Sequence, residues 1–95
     1  MAKSTSFIEK MGDLNLIVYD FKDKDDILEM HTHDESTVHI SIVARGDFLI
    51  RGNDWEENYS TGSIIDWEPY QMHEFIALTP NSRLVNITKY KKGTI

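Results

Sequence analysis

Four histidines, His31, His33, His39 and His73, are the residues of this 95-residue chain whose type and spacing could do chemistry. His31 and His33 stand two apart in Ile27–His33, a segment that reads as extended, so their side chains leave the same face. Two imidazoles at that spacing can chelate one ion, which makes His-x-His on a strand a half-site for a transition metal. His39 lies in Thr37–Ala44 (TVHISIVA), where Val38, Ile40 and Ile42 point one way and His39, Ser41 and Val43 the other. His73 stands alone, far downstream. Each also has an ordinary reading. His31 and His33 could be exposed strand residues, His39 a hydrogen-bonded interior residue, and His73 the cap of a hairpin. With no cysteine in the chain, thiolate ligands and disulfides are excluded. No Ser-His-Asp arrangement, nucleotide loop or paired-carboxylate signal accompanies the histidines.

The elements that must position them read as strands almost throughout. Leu14–Phe21 is β-rich between Gly12-Asp13 and a charged turn, Ile27–His33 follows, and Thr37–Ala44 alternates. Arg45-Gly46-Asp47 is a turn, because glycine supplies a positive φ beside a turn-favouring aspartate. Further strands are expected at Phe48–Arg51, Trp55–Tyr59, Ser63–Trp67, His73–Leu78 and Arg83–Tyr90, with Pro69 marking a corner or edge. Ser4–Met11 carries a Ser-x-x-Glu start at Ser6–Glu9 and could form a short helical turn. Many short strands with a turn signal every 8–12 residues or so argue for an all-β sandwich or barrel. There is no repeat and no linker, so residues 1–95 are expected to form one domain.

These residues carry a resemblance. His31–Gly46 looks like the first signature of the cupin superfamily, in which His-x-His, a Glu and a Gly-terminated hairpin follow in order. Gly62–Phe75 resembles the second, where a Gly precedes a metal-binding His. His39 occupies the position the family usually gives to Glu, and His73 the position of the second signature's His. Val43 and Ala44 match the hydrophobic pair before the turn. The resemblance covers roughly His31–Leu78. It departs at His39, in the one-residue longer gap from His33 to His39, and at Glu68, Pro69 and Tyr70 in the second signature. It implies a small double-stranded β-helix, the jelly-roll cupin barrel, with one transition metal ion per chain held by His31, His33, His39 and His73.

Such an all-nitrogen set suits iron, nickel, copper, zinc or manganese and disfavours magnesium and calcium, which want oxygen ligands. The resemblance implies several functional classes, and the one expected first is a mononuclear non-haem metal-dependent dioxygenase acting on a small organic molecule. The alternatives are a non-catalytic cupin that binds a small ligand or metal, and a metal-dependent isomerase or lyase. Ser41, Val43, Phe48 or Ile50, Phe75 and Ala77 are expected to share the inward face, with Trp67 and Tyr70 near the mouth. Arg45, Arg51, Glu68 and Tyr19 are polar side chains that could assist.

A net charge of −6, with the basic residues scattered until Lys89, Lys91 and Lys92, argues against nucleic acid as a partner. No apolar run approaches the roughly 20 residues of a membrane span, and MAKSTSFIEKMGDL lacks the apolar centre of a secretory signal. A cytoplasmic location is the expectation. So is a homodimer with Leu14–Phe21 as contributor, because a barrel this small leaves strand edges to cover.

Overall fold

Alternating burial along 38–43, 47–50, 73–77 and 82–87 sorts these segments into two faces in the computed structural model, which describes residues 4–32 and 37–90. The strands are β1 (Thr5–Met11), β2 (Leu14–Phe21), β3 (Ile27–His31), β4 (Thr37–Arg45), β5 (Asp47–Arg51), β6 (Glu56–Ser60), β7 (Ile64–Asp66), β8 (His73–Ala77) and β9 (Ser82–Tyr90). They form a five-stranded sheet in the order β1-β2-β9-β4-β7 and a four-stranded sheet in the order β3-β8-β5-β6. All pairings are antiparallel. Phe21, Val43 and Leu84 from the first sheet meet Phe48, Ile50, Phe75 and Ala77 from the second, and all are buried. Phe21 packs edge-on against Phe48 with ring centroids 4.9 Å apart. Burying each such side chain is worth about 1.5–3 kcal/mol.

Three features differ from the expectations. Ser4–Met11 contains a strand, not a helical turn. The Ser6–Glu9 capping pattern is a local signal only, and the hairpin to β2 overrides it, with Met11 opposite Leu14. Gly12, at the first of the two loop positions, has φ +63°, the place where a type II′ hairpin turn asks for glycine. Because β1 covers it, β2 is an interior strand with no free edge to offer a second molecule. Finally, β3 stops at His31, and its register against β8 slips between Leu28 and His31. That bulge turns His31 onto the same inner face as Leu28. His33 lies outside the described residues.

The seam between the sheets is closed on one side. There Gly62 N–H donates to Val43 O and Val43 N–H to Ser63 O, both at 2.9 Å, tying the β6–β7 turn to β4. On the other side β1 and β3 meet through Ser4 N–H to Ile27 O at 3.0 Å, and the seam beyond it stays open.

Candidate ligand-binding site

Three of the four histidines converge. His31 and His73 are direct partners across β3 and β8, and their rings meet edge to face with centroids 4.3 Å apart. His39 reaches them from β4, its ring centroid 5.3 Å from that of His73. His39 and His73 are buried, and His31 is half-buried. Trp67, just past β7, stacks on His73 at 4.2 Å and 19°, and Phe75 closes the group from below, its centroid 5.6 Å from that of His73.

Hydrogen bonds fix two of the rings. Nδ1 of His31 lies 2.7 Å from Glu29 O, and Nδ1 of His73 lies 2.9 Å from Gln71 O. A carbonyl oxygen can only accept, so in both rings Nδ1 carries the proton and Nε2 is the acceptor nitrogen when the ring is neutral. Beside them runs a buried polar relay. Trp67 Nε1–H donates to Ser41 Oγ at 2.8 Å, and Ser41 Oγ–H donates to Asn86 Oδ1 at 2.6 Å. Trp67 N–H also donates to His39 O at 3.1 Å, so indole and histidine strand are held together twice.

The expectation of a metal centre is corrected here. Among the described residues no group of three or more His, Cys, Asp or Glu side chains is arranged to hold a metal ion. The His73 ring meets His31 edge-on, His39 at a tilt and Trp67 face to face, which is packing. The expected transition metal, and with it the metal-dependent dioxygenase, oxidoreductase, isomerase and lyase readings, lose their basis. Two of the polar side chains singled out as assistants are engaged elsewhere. Arg51 Nε pairs with Glu74 Oε1 at 2.7 Å, and Arg45 Nε–H donates to Asn81 O at 2.6 Å. Glu68 lies exposed in a turn, where its N–H donates to Gln71 Oε1 at 3.1 Å. Of the two aromatics expected near the mouth, Trp67 is core and Tyr70 is exposed.

His31 belongs to a second feature as well. The open seam forms a cleft of about 390 Å³, and His31 lines it together with Ile27, Leu28, Met30, Ser6 and Tyr19. Burial holds the Tyr19 phenol above its ordinary pKa, so at neutral pH it remains a hydrogen-bond donor. Ile27, Leu28 and Met30 supply its apolar lining, and its polar groups are the Tyr19 phenol, the His31 imidazole, the hydroxyls of Ser4 and Ser6 and the Glu29 carboxylate. Such a mixed lining can hold a small molecule that has an apolar body and several hydrogen-bonding groups. Sequence reasoning named Tyr19 without orienting it and missed the cleft, which exists only once β1 and β3 face each other. It also missed Asn86, although the alternation of Leu84, Asn86 and Thr88 in β9 places Asn86 on the inner face with Leu84.

No protein-family model matches the sequence, and no curated protein does. Solved structures do match. KdgF from Halomonas sp. has a TM-score of 0.80 at 21% identity, over 95% of this chain and 81% of its own. An RmlC-like cupin protein from Desulfovibrio desulfuricans has a TM-score of 0.80 at 15% identity, over 92% and 82%. A protein with a double-stranded β-helix domain from Klebsiella pneumoniae has a TM-score of 0.80 at 16% identity, over 95% and 79%. Two facing antiparallel sheets and these likenesses agree: the chain has the cupin fold, an all-β double-stranded β-helix.

Proposed function

We propose that this protein is a non-catalytic, metal-independent binding protein for a small organic molecule, which it takes into the cleft between β1–β2 and β3. The observation that carries the reading is the cleft itself: about 390 Å³, lined by Ile27, Leu28 and Met30 and with Tyr19 and His31 among its polar groups. A volume of that size suits a ligand of fragment dimensions. The acidic balance of the chain and Glu29 at the rim disfavour anions, so the ligand class is a neutral or cationic molecule with an apolar body and one or two hydrogen-bonding groups. The fold is compatible with small-molecule binding, and the lack of a metal-holding group among the described residues supports binding over metal-dependent turnover. The rest of the partner set is a second copy of the chain, with neither nucleic acid nor a membrane; the net charge of −6 supports the first exclusion.

The test is a thermal-shift screen with benzyl alcohol, acetophenone and phenylethylamine, with benzoate as the anionic comparison. The neutral and cationic probes should raise the melting temperature of the wild type. His31→Ala and Tyr19→Phe should each weaken binding by about tenfold, the worth of one hydrogen bond. Probes that stabilise wild type and both variants equally would place binding outside the cleft.

A further inference from the structure

The inner face of the five-stranded sheet runs on past the core. Register sets Ile8, Ile17, Asn86 and Ser41 side by side on β1, β2, β9 and β4, and antiparallel partners share a face. Asn86 and Ser41 are buried, so Ile17 and Ile8 continue the inner face outward. The four-stranded sheet does not cover this continuation: Ile17 is half-buried and Ile8 is 61% exposed. The row on one side holds Ser6 and Tyr19, which line the cleft, so the two isoleucines adjoin it. The row on the other side holds Asn15, two residues before Ile17 on the same face of β2. The result is an apolar stripe one row wide between polar rows, running beside the cleft to the outer edge of the sheet at β1.

We infer that the ligand of this cleft carries an unbranched alkyl tail, and that Ile17 and Ile8 form the subsite that holds it. The inference rests on the cleft as a small-molecule site and narrows its ligand to a linear amphiphile with an amine head. Adjacent strands lie about 4.8 Å apart, so the stripe crosses two strands in about 10 Å, the reach of an octyl chain. Rows on one face repeat about every 7 Å along a strand, which matches the width of a methylene chain better than that of a ring. Tyr19 follows Ile17 by two residues on the same face of β2, so its phenol stands beside the inner end of the stripe, where the head group would lie. Met30 also lines the cleft, and its flexible thioether adapts to an alkyl chain. The Glu29 carboxylate next to it favours an amine head over a carboxylate.

Isothermal titration with n-butylamine, n-hexylamine and n-octylamine tests the subsite. A fully buried methylene is worth about fourfold in affinity, and a chain lying on one wall should gain half that free energy, about twofold per methylene. Wild type should therefore bind octylamine about fifteenfold more tightly than butylamine, with hexylamine between them. In Ile8→Ser, at a position too exposed for the change to harm the fold, the ratio should fall to about fourfold. Ile64→Ser, as exposed but on the outer face of the sheet, should keep the wild-type ratio. An octylamine-to-butylamine ratio near one, a ratio that Ile8→Ser leaves unchanged, or one that falls equally in Ile64→Ser would overturn the subsite. If phenylethylamine still binds in that case, only the tail is lost and the cleft reading stands. Failure of every amine and of the neutral aromatic probes alike would overturn both.

Discussion

Replacing Ser41 with alanine removes the centre of the buried relay. Its hydroxyl receives Trp67 Nε1–H and donates to Asn86 Oδ1, and both partners are inside the barrel. The substitution deletes two hydrogen bonds, and it also leaves an indole N–H and an amide oxygen facing apolar surroundings. Net loss for each bond is about 1 kcal/mol and for each stranded buried group about 1–3 kcal/mol. Partial relaxation brings the expected total to roughly 2–4 kcal/mol. For a domain this size that lowers the melting temperature by roughly 10–25 °C. Trp67→Phe removes the donor but leaves the Ser41–Asn86 bond, so its cost comes from lost packing on His73. In the double variant Ser41→Ala strands only Asn86. Its cost should therefore fall by about 1–2 kcal/mol relative to the wild-type background. Urea melts of the four proteins give this coupling. Additivity within about 0.3 kcal/mol would refute a connected relay.

Other expectations follow from single positions. Gly46→Ala should cost more than Gly62→Ala, as read from the same melts. Both glycines have positive φ, +91° and +96°, but a Cβ on Gly46 would land on the Ser82 side chain and 2.8 Å from Thr79 Oγ1, whereas one on Gly62 meets nothing within 4 Å. Backbone strain alone is worth about 1–2 kcal/mol at Gly62, with the clash added at Gly46. The Arg83 guanidinium beside Asp20 holds its carboxyl below the ordinary value of 3.8. A lowered folded pKa makes the contribution present above 3.8 and lost as the pH falls through the folded value. Asp20→Asn should therefore melt slightly below wild type at neutral pH and coincide with it in strong acid. The gap should stay under about 1 kcal/mol because the pair is partly solvated.

The strands were legible because their signals are local and redundant. Leu14–Phe21 emerges with those bounds, and the alternation of Thr37–Ala44 put His39, Ser41 and Val43 on the inner face where they lie. Convergence of His31, His39 and His73 was legible as well, since strand geometry and the cupin-like spacing pointed the same way. What spacing could not supply was the way the rings pack, with Trp67 stacked on His73. Trp67 itself was expected near the mouth, yet its bond to Ser41, a residue 26 positions away, draws it into the core. β1 was not legible for the opposite reason: the Ser6–Glu9 pattern leaves a short helical turn open locally, and only pairing with β2 decides for a strand. The cleft depends on two sheet edges distant in sequence, so no window of residues could have revealed it.

The central claim is that the cleft binds a small organic molecule without a metal. Isothermal titration of chelator-treated protein with the best probe of the thermal-shift screen tests it most directly. The account predicts one site per chain, an affinity unchanged on adding iron, nickel, copper, zinc or manganese, and at least a tenfold loss in His31→Ala. Binding that appears only after one of those ions is added would contradict it.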